Sequence, residues 1–217
     1  MIGLSLLIVP TIFVLMQWMK APAVVAIGVT MVAQSAVMLG CFYLLAVRLW
    51  GVTWEQAGWT APYSRAWYGH AVLLALAAIL LVAGVTLSIE RITGAPLENP
   101  QVGMLAPGGA SIYSAAVMVF LVAVVAPLAE ELLFRGLLYR WIAERFGMWI
   151  GLVISSLIFS SMHGILLLIP PLFVVGCLLA WLYEKSGSVL PCIVMHGVFN
   201  GIMLLGLYAG LSAGAQP

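Results

Sequence analysis

Three short polar runs interrupt otherwise apolar stretches of this chain, and each carries side chains that can move protons. The first is Ala129-Glu130-Glu131-Leu132-Leu133-Phe134-Arg135-Gly136. Glu131 and Arg135 are four residues apart with the acid first, the favourable order for an ion pair along one helix face. Glu130 is rotated from Glu131 by about 100° on the same helix. One carboxylate is then neutralised by Arg135 while the other faces a different surface. The second run is Phe159-Ser160-Ser161-Met162-His163-Gly164, with Phe159 and His163 on one face. The third is His196-Gly197-Val198-Phe199-Asn200-Gly201, where His196 and Asn200 share a face. Gly197 and Gly201 form a small-residue pair that lets a neighbouring helix approach closely, and Gly147 and Gly151 have the same spacing.

These residue types suit hydrolysis of an amide. A carboxylate held away from bulk water is a stronger base. A histidine can orient water, shuttle a proton or bind a metal as neutral imidazole. An asparagine amide can donate to a developing oxyanion. Two routes stay open. In one, Glu130, His163 and His196 hold zinc, and three ligands plus water make an open catalytic site. In the other, glutamate and histidine activate water without a metal. The helix-borne His-Glu-x-x-His zinc pattern is absent. A metal-bound histidine also needs an acceptor for its other ring nitrogen. The nearby candidates in sequence are backbone carbonyls, Ser160 and Asn200; a carboxylate acceptor would have to be Glu131, which is expected to be engaged by Arg135.

The elements that must position these side chains are membrane helices. The chain has 217 residues, is 65% hydrophobic and 7% charged, and has a mean hydropathy of +1.19. A globular domain carries about 25% charged residues, so a soluble fold could not solvate this surface. The expected class is all-α, a polytopic transmembrane bundle of about seven helices, each needing about 20 apolar residues to cross the bilayer. The apolar stretches are 2–18, 22–47, 67–89, one beginning near Ile112, 147–169, 172–183 and 189–207, with Pro170-Pro171 separating the fifth from the sixth. Tryptophans 50, 54 and 59 fall in a polar loop and suit the membrane interface. The loop from Glu90 to Gly109 carries Pro96, Pro100 and Pro107. Residues 1–111 read as N-terminal membrane helices and 112–210 as the part bearing the chemistry.

Depth along these helices is uneven. Glu130 and His196 lie about 12–15 Å from their helix ends at the helical rise. His163 counts about 24 Å from Gly147 by the same rise. The fifth helix must therefore start outside the membrane, tilt, or break near Gly164.

Ionisable groups within a spanning helix cost about 2.5 kcal/mol or more each, which is why the three runs matter. His70, near the start of the third stretch, reads as an interfacial residue. The formal net charge is +1 and no basic cluster exists, which argues against a nucleic-acid partner. There is no aspartate, so a catalytic aspartate pair is excluded. Cys41, Cys177 and Cys192 lie in apolar stretches and read as small core residues. The N-terminus lacks a basic region ahead of its apolar run and reads as a first spanning helix. The chain ends Gly-Ala-Gln-Pro, so it is not expected to be a prenylation substrate. Even-numbered loops carry Arg48, Arg65, Arg140, Arg145 and Lys185, against Lys20 and Arg91 in odd-numbered loops. The even loops and the N-terminus are therefore expected on the cytoplasmic side of the cell membrane.

At the three runs the sequence resembles the CPBP family of intramembrane proteases, which includes CAAX prenyl endoproteases and relatives linked to bacteriocin immunity. The family signature is Glu-Glu-x-x-x-Arg, Phe-x-x-x-His and His-x-x-x-Asn or Asp. Here it reads Glu130 to Arg135, Phe159 to His163 and His196 to Asn200, in order, within about Val117 to Leu205. The resemblance implies a helical bundle with a polar cavity opening to the cytoplasm and a peptide or membrane-protein substrate. Glu130 would be the water-activating glutamate, with His163, His196 and Asn200 as the other cavity residues. Glu131, Arg135 and Phe159 would support them. Two other readings compete: a proton-coupled transporter, and a non-catalytic membrane partner such as an immunity protein. Ionisable residues confined to the second half count against the paired halves of a transporter.

Overall fold

A computed structural model describes residues 2–96, 102–106 and 111–213. Pro100, Pro107 and the C-terminal Gly-Ala-Gln-Pro lie outside the described residues. Seven helical rods run through the described chain: α1 (Ile2–Trp18), α2 (Ala23–Leu49), α3 (Ala66–Thr93), α4 (Ile112–Phe146), α5 (Met148–Ser161), α6 (Ile169–Ser186) and α7 (Val189–Ser212). Every regular element among the described residues is helical. Five of the rods (α2, α3, α4, α6 with its preceding turn, and α7) are long and apolar enough to cross a membrane, and α5 is a shorter apolar helix of 14 residues. Large apolar side chains such as Leu73, Leu80, Ile112 and Trp149 stand exposed on the outside of the bundle. In water such a surface would be untenable. This is a multi-pass membrane protein.

The core is built on close backbone approach. Ala71, Ala75 and Ala78 are fully buried along one stripe of α3 and pack with Leu179 and Leu182 of α6 and Cys192, Met195 and Phe199 of α7. Alanines at this spacing let the three helices approach closely, which is how helices associate in lipid. α5 lies against α6, α2 against the middle of α4, and α1 packs on α2. α7 crosses α4 at residues 121–125.

The fifth stretch does break near Gly164. α5 stops at Ser161 rather than continuing to 169, and Gly164 takes a left-handed φ of 73° in the turn that follows. A single 3₁₀ turn over Leu166–Leu168 then leads into α6. Pro170 and Pro171 do not separate two helices, contrary to the expectation from sequence. They occupy the first turn of α6, where a missing N–H costs no hydrogen bond.

α4 is not a uniform helix. Its α-helical turns over Ala126–Leu133 are bracketed by π-helical segments, Leu121–Val125 and Phe134–Tyr139. A π turn widens the hydrogen-bond ladder, changes which way the following side chains point, and frees a backbone carbonyl. The two glutamates sit between these two segments.

At one end of the bundle the 50–65 loop is fastened to the α6–α7 junction. Tyr63 N–H donates to the Ser186 carbonyl at 3.1 Å and Val189 N–H to the Gly58 carbonyl at 2.9 Å, and the Ser188 hydroxyl donates to the Thr60 carbonyl. Arg140 and Glu144 of α4 line a cavity of about 450 Å³ with Glu55 of this loop and Glu184 of α6. The even-numbered loops thus gather at one end.

Candidate active site

The i, i+4 spacing of Glu131 and Arg135 produces the ion pair expected of it. Arg135 Nη1 donates to Glu131 Oε1 at 2.9 Å, with both side chains essentially without solvent contact. The guanidinium is held from two further sides. Its Nη2 donates to the Gly176 carbonyl on α6 at 3.0 Å, and its central carbon lies 4.8 Å over the Phe159 ring of α5. Phe159 is itself buried edge-on against Phe134 of α4, with ring centroids 5.1 Å apart.

Glu131 does more than neutralise Arg135. The same Oε1 accepts a 2.8 Å hydrogen bond from His196 Nδ1 on α7. When a neutral imidazole donates to this oxygen through Nδ1, its Nε2 is left as an acceptor. His196 Nε2 faces Glu130 Oε2 at 3.8 Å, too far for a direct hydrogen bond. Glu130 Oε2 is buried and has no hydrogen-bond partner, although the side chain keeps 16% exposure. Two acceptors facing one another across this gap are satisfied by a molecule with two donors, which is what water is. Spacing along α4 assigns Glu131 to Arg135 alone. The fold lets one carboxylate oxygen serve Arg135 and His196 together, because α7 delivers its histidine to the same atom.

His163 and Asn200 are placed differently. His163 follows the end of α5, and its Nδ1 lies 3.1 Å from the Phe159 carbonyl, one of those left open where the helix stops. Its ring meets the Phe159 ring at 5.2 Å, and the Phe159 ring also meets His196, at 5.8 Å. His163 is therefore linked to the glutamates through Phe159 rather than directly. Asn200 Nδ2 donates to the Val122 carbonyl at 2.9 Å, within the first π segment of α4. Beside it, a Cβ on Gly197 would collide with the Ala123 carbonyl oxygen, so glycine is what lets α7 reach this segment. His70 is exposed near the start of α3, with Nδ1 2.8 Å from the Ala66 carbonyl of its own helix.

The three zinc candidates Glu130, His163 and His196 are engaged differently. Among the described residues no three His, Cys, Asp or Glu side chains converge as a ligand group. His196 has the carboxylate acceptor that a metal-bound histidine needs, and His163 Nδ1 is turned to the Phe159 carbonyl.

Residues 112–202 match a family model described as "Type II CAAX prenyl endopeptidase Rce1-like". In this segment the chain is similar to the CPBP, or CAAX protease, family. The matched residues contain all three runs that carry the resemblance. The chain is also similar to an uncharacterized 24.3 kDa protein of Escherichia coli, 36% identical over 78 residues, covering 34% of this chain and 36% of that one. It is similar to the UPF0177 protein YxdF of Lactococcus lactis subsp. lactis (strain IL1403), 26% identical over 82 residues, covering 37% and 45% respectively. The chain thus spans less than half the length of these curated relatives. No solved structure matches it.

Two contributors escape a reading of the sequence: the carbonyls of Gly176 and Val122. Every residue has a carbonyl, so only a three-dimensional neighbour marks one as used. The single hint for Gly176 is a glycine inside an apolar helix, a weak sign of close packing.

Proposed function

We propose that this protein is an intramembrane endopeptidase in which Glu130 and His196 activate a water molecule between them. The observation that carries this reading is the pair of facing acceptors, Glu130 Oε2 and His196 Nε2, 3.8 Å apart with Glu130 Oε2 buried and unpartnered. Water held there donates one hydrogen to each. As its oxygen attacks the scissile carbonyl carbon, Glu130 takes the proton and the carbonyl electrons move to oxygen. Asn200 keeps a second amide hydrogen besides the one given to Val122, and we assign it to that oxyanion. Glu130 then returns the proton to the amide nitrogen as the C–N bond breaks. Glu131 fixes the His196 tautomer, and Arg135 holds Glu131 in place, so that Glu131 plays the role of the buried acid behind a catalytic histidine elsewhere.

The basic residues of the even-numbered loops gather at one end of the bundle, and we take that end, with the N-terminus, to be cytoplasmic. The substrate class is a peptide or membrane protein reached within the bilayer. The test is Glu130→Gln in protein reconstituted into liposomes and supplied with a peptide panel. The amide is nearly isosteric but cannot accept the proton, so turnover should fall about 10²–10⁴-fold with helicity unchanged. Near-normal turnover in this variant refutes the assignment.

A further inference from the structure

We propose that Gly176, outside all three polar runs, is a positioning residue for the catalytic histidine, acting through Arg135 and Glu131. The inference rests on the protease reading for its kinetic arm alone.

α5 and α6 approach closely at Gly176 and Ser156. A Cβ on Gly176 would stand 2.9 Å from Ser156 Cβ, 3.1 Å from its Cα and 3.2 Å from its hydroxyl oxygen. Those distances are below or at the edge of what real side chains tolerate, and both residues are buried. The α6 backbone is therefore seated directly on α5. That seating brings the Gly176 carbonyl within 3.0 Å of Arg135 Nη2. From there the links are continuous: Arg135 Nη1 to Glu131 Oε1 at 2.9 Å, the same oxygen to His196 Nδ1 at 2.8 Å, and His196 Nε2 facing Glu130.

The Phe159 ring restricts how the guanidinium can follow a displacement of α6. Phe159 covers its face, and its Nε is buried without a partner, as is the Ser156 hydroxyl. If α6 withdraws, Arg135 loses its third anchor and turns about the Glu131 oxygen. Glu131 Oε1 then shifts relative to His196 Nδ1, and the preference for the Nδ1–H tautomer weakens. Ordinary packing glycines have no such consequence. Gly201, for example, would place a Cβ at 3.5 Å from Ala123 Cβ, an ordinary contact.

The experiment uses the full chain in detergent micelles, labelled with ¹⁵N-histidine, with the His196 signals assigned from His196→Gln. Wild type should show a protonated Nδ1 and bare Nε2 at His196. In Gly176→Ala this pattern should change to a tautomer mixture, and kcat on a cleaved peptide should fall about a hundredfold, the order expected for a misplacement near 1 Å, with KM little changed. Adding Ser156→Gly removes the opposing Cβ and hydroxyl, so the double variant should regain the wild-type imidazole signals and most of kcat. If Gly176→Ala does not accumulate, Arg135→Lys tests the same link. Its ammonium can pair with Glu131 but not also span to the Gly176 carbonyl, so its His196 signals should change likewise. Wild-type His196 signals in Gly176→Ala, or in Arg135→Lys where that carries the test, would overturn the proposal, as would a folded double variant that stays like Gly176→Ala. If wild type cleaves no peptide, the protease reading falls while the imidazole signals still decide the role of Gly176.

Discussion

Replacing Arg135 with alanine should destabilise the bundle far more than an average substitution. Glu131 is 0% and Arg135 1% exposed, so neither charge is relieved by solvent. The change removes the 2.9 Å pair with Glu131, the 3.0 Å bond to the Gly176 carbonyl and the stacking on Phe159 at 4.8 Å. Glu131 then keeps one donor, His196 Nδ1. Breaking a buried pair from one side costs about 3–5 kcal/mol. At roughly 2–4 °C per kcal/mol for a chain of this size, the unfolding midpoint should fall by about 6–20 °C. The assay is thermal unfolding in detergent, followed by far-UV circular dichroism. The double variant Glu131→Gln/Arg135→Met removes both charges, while the new amide oxygen on α4 still accepts from His196. It should recover most of the loss, because neutralising both partners leaves no buried charge. An Arg135→Ala protein that melts with wild type would refute the structural role of the pair. A double variant as unstable as the single would show that guanidinium packing, not charge, is what the site requires.

Further expectations concern the rest of the site. Asn200→Leu should leave the Val122 carbonyl unpaired and remove the oxyanion donor, lowering kcat about 10²–10³-fold and stability by about 1–3 kcal/mol, read from turnover and melting in parallel. Gly197→Ala should lower the melting midpoint, since the new Cβ meets the backbone oxygen of Ala123, which cannot rotate away, and overpacking of this kind costs about 1–3 kcal/mol. If Glu130 and His196 activate water as proposed, exhaustive chelation should leave peptide turnover unchanged; activity lost on chelation and restored by zinc would contradict that mechanism.

The sequence by itself determined the membrane class, the approximate places of seven helices and the identity of the three polar runs. Hydropathy and i, i+4 spacing are local properties, legible wherever a helix forms. The Glu131–Arg135 pair was readable for that reason, since both partners ride on one helix four residues apart. The tertiary structure decided what spacing cannot encode. Glu131 meets His196 Nδ1 across 65 residues of chain, and Glu130 faces the other ring nitrogen of the same histidine, which only the packing of α7 on α4 brings about. α5 ends at Ser161 because the chain turns at Gly164, although the apolar run continues past it. Phe159, read from sequence as support, there touches Arg135, His163 and His196 together. The carbonyls of Gly176 and Val122 acquire partners only through contacts between helices, at Ser156 and at Ala123, where the absence of a side chain sets how near two backbones come.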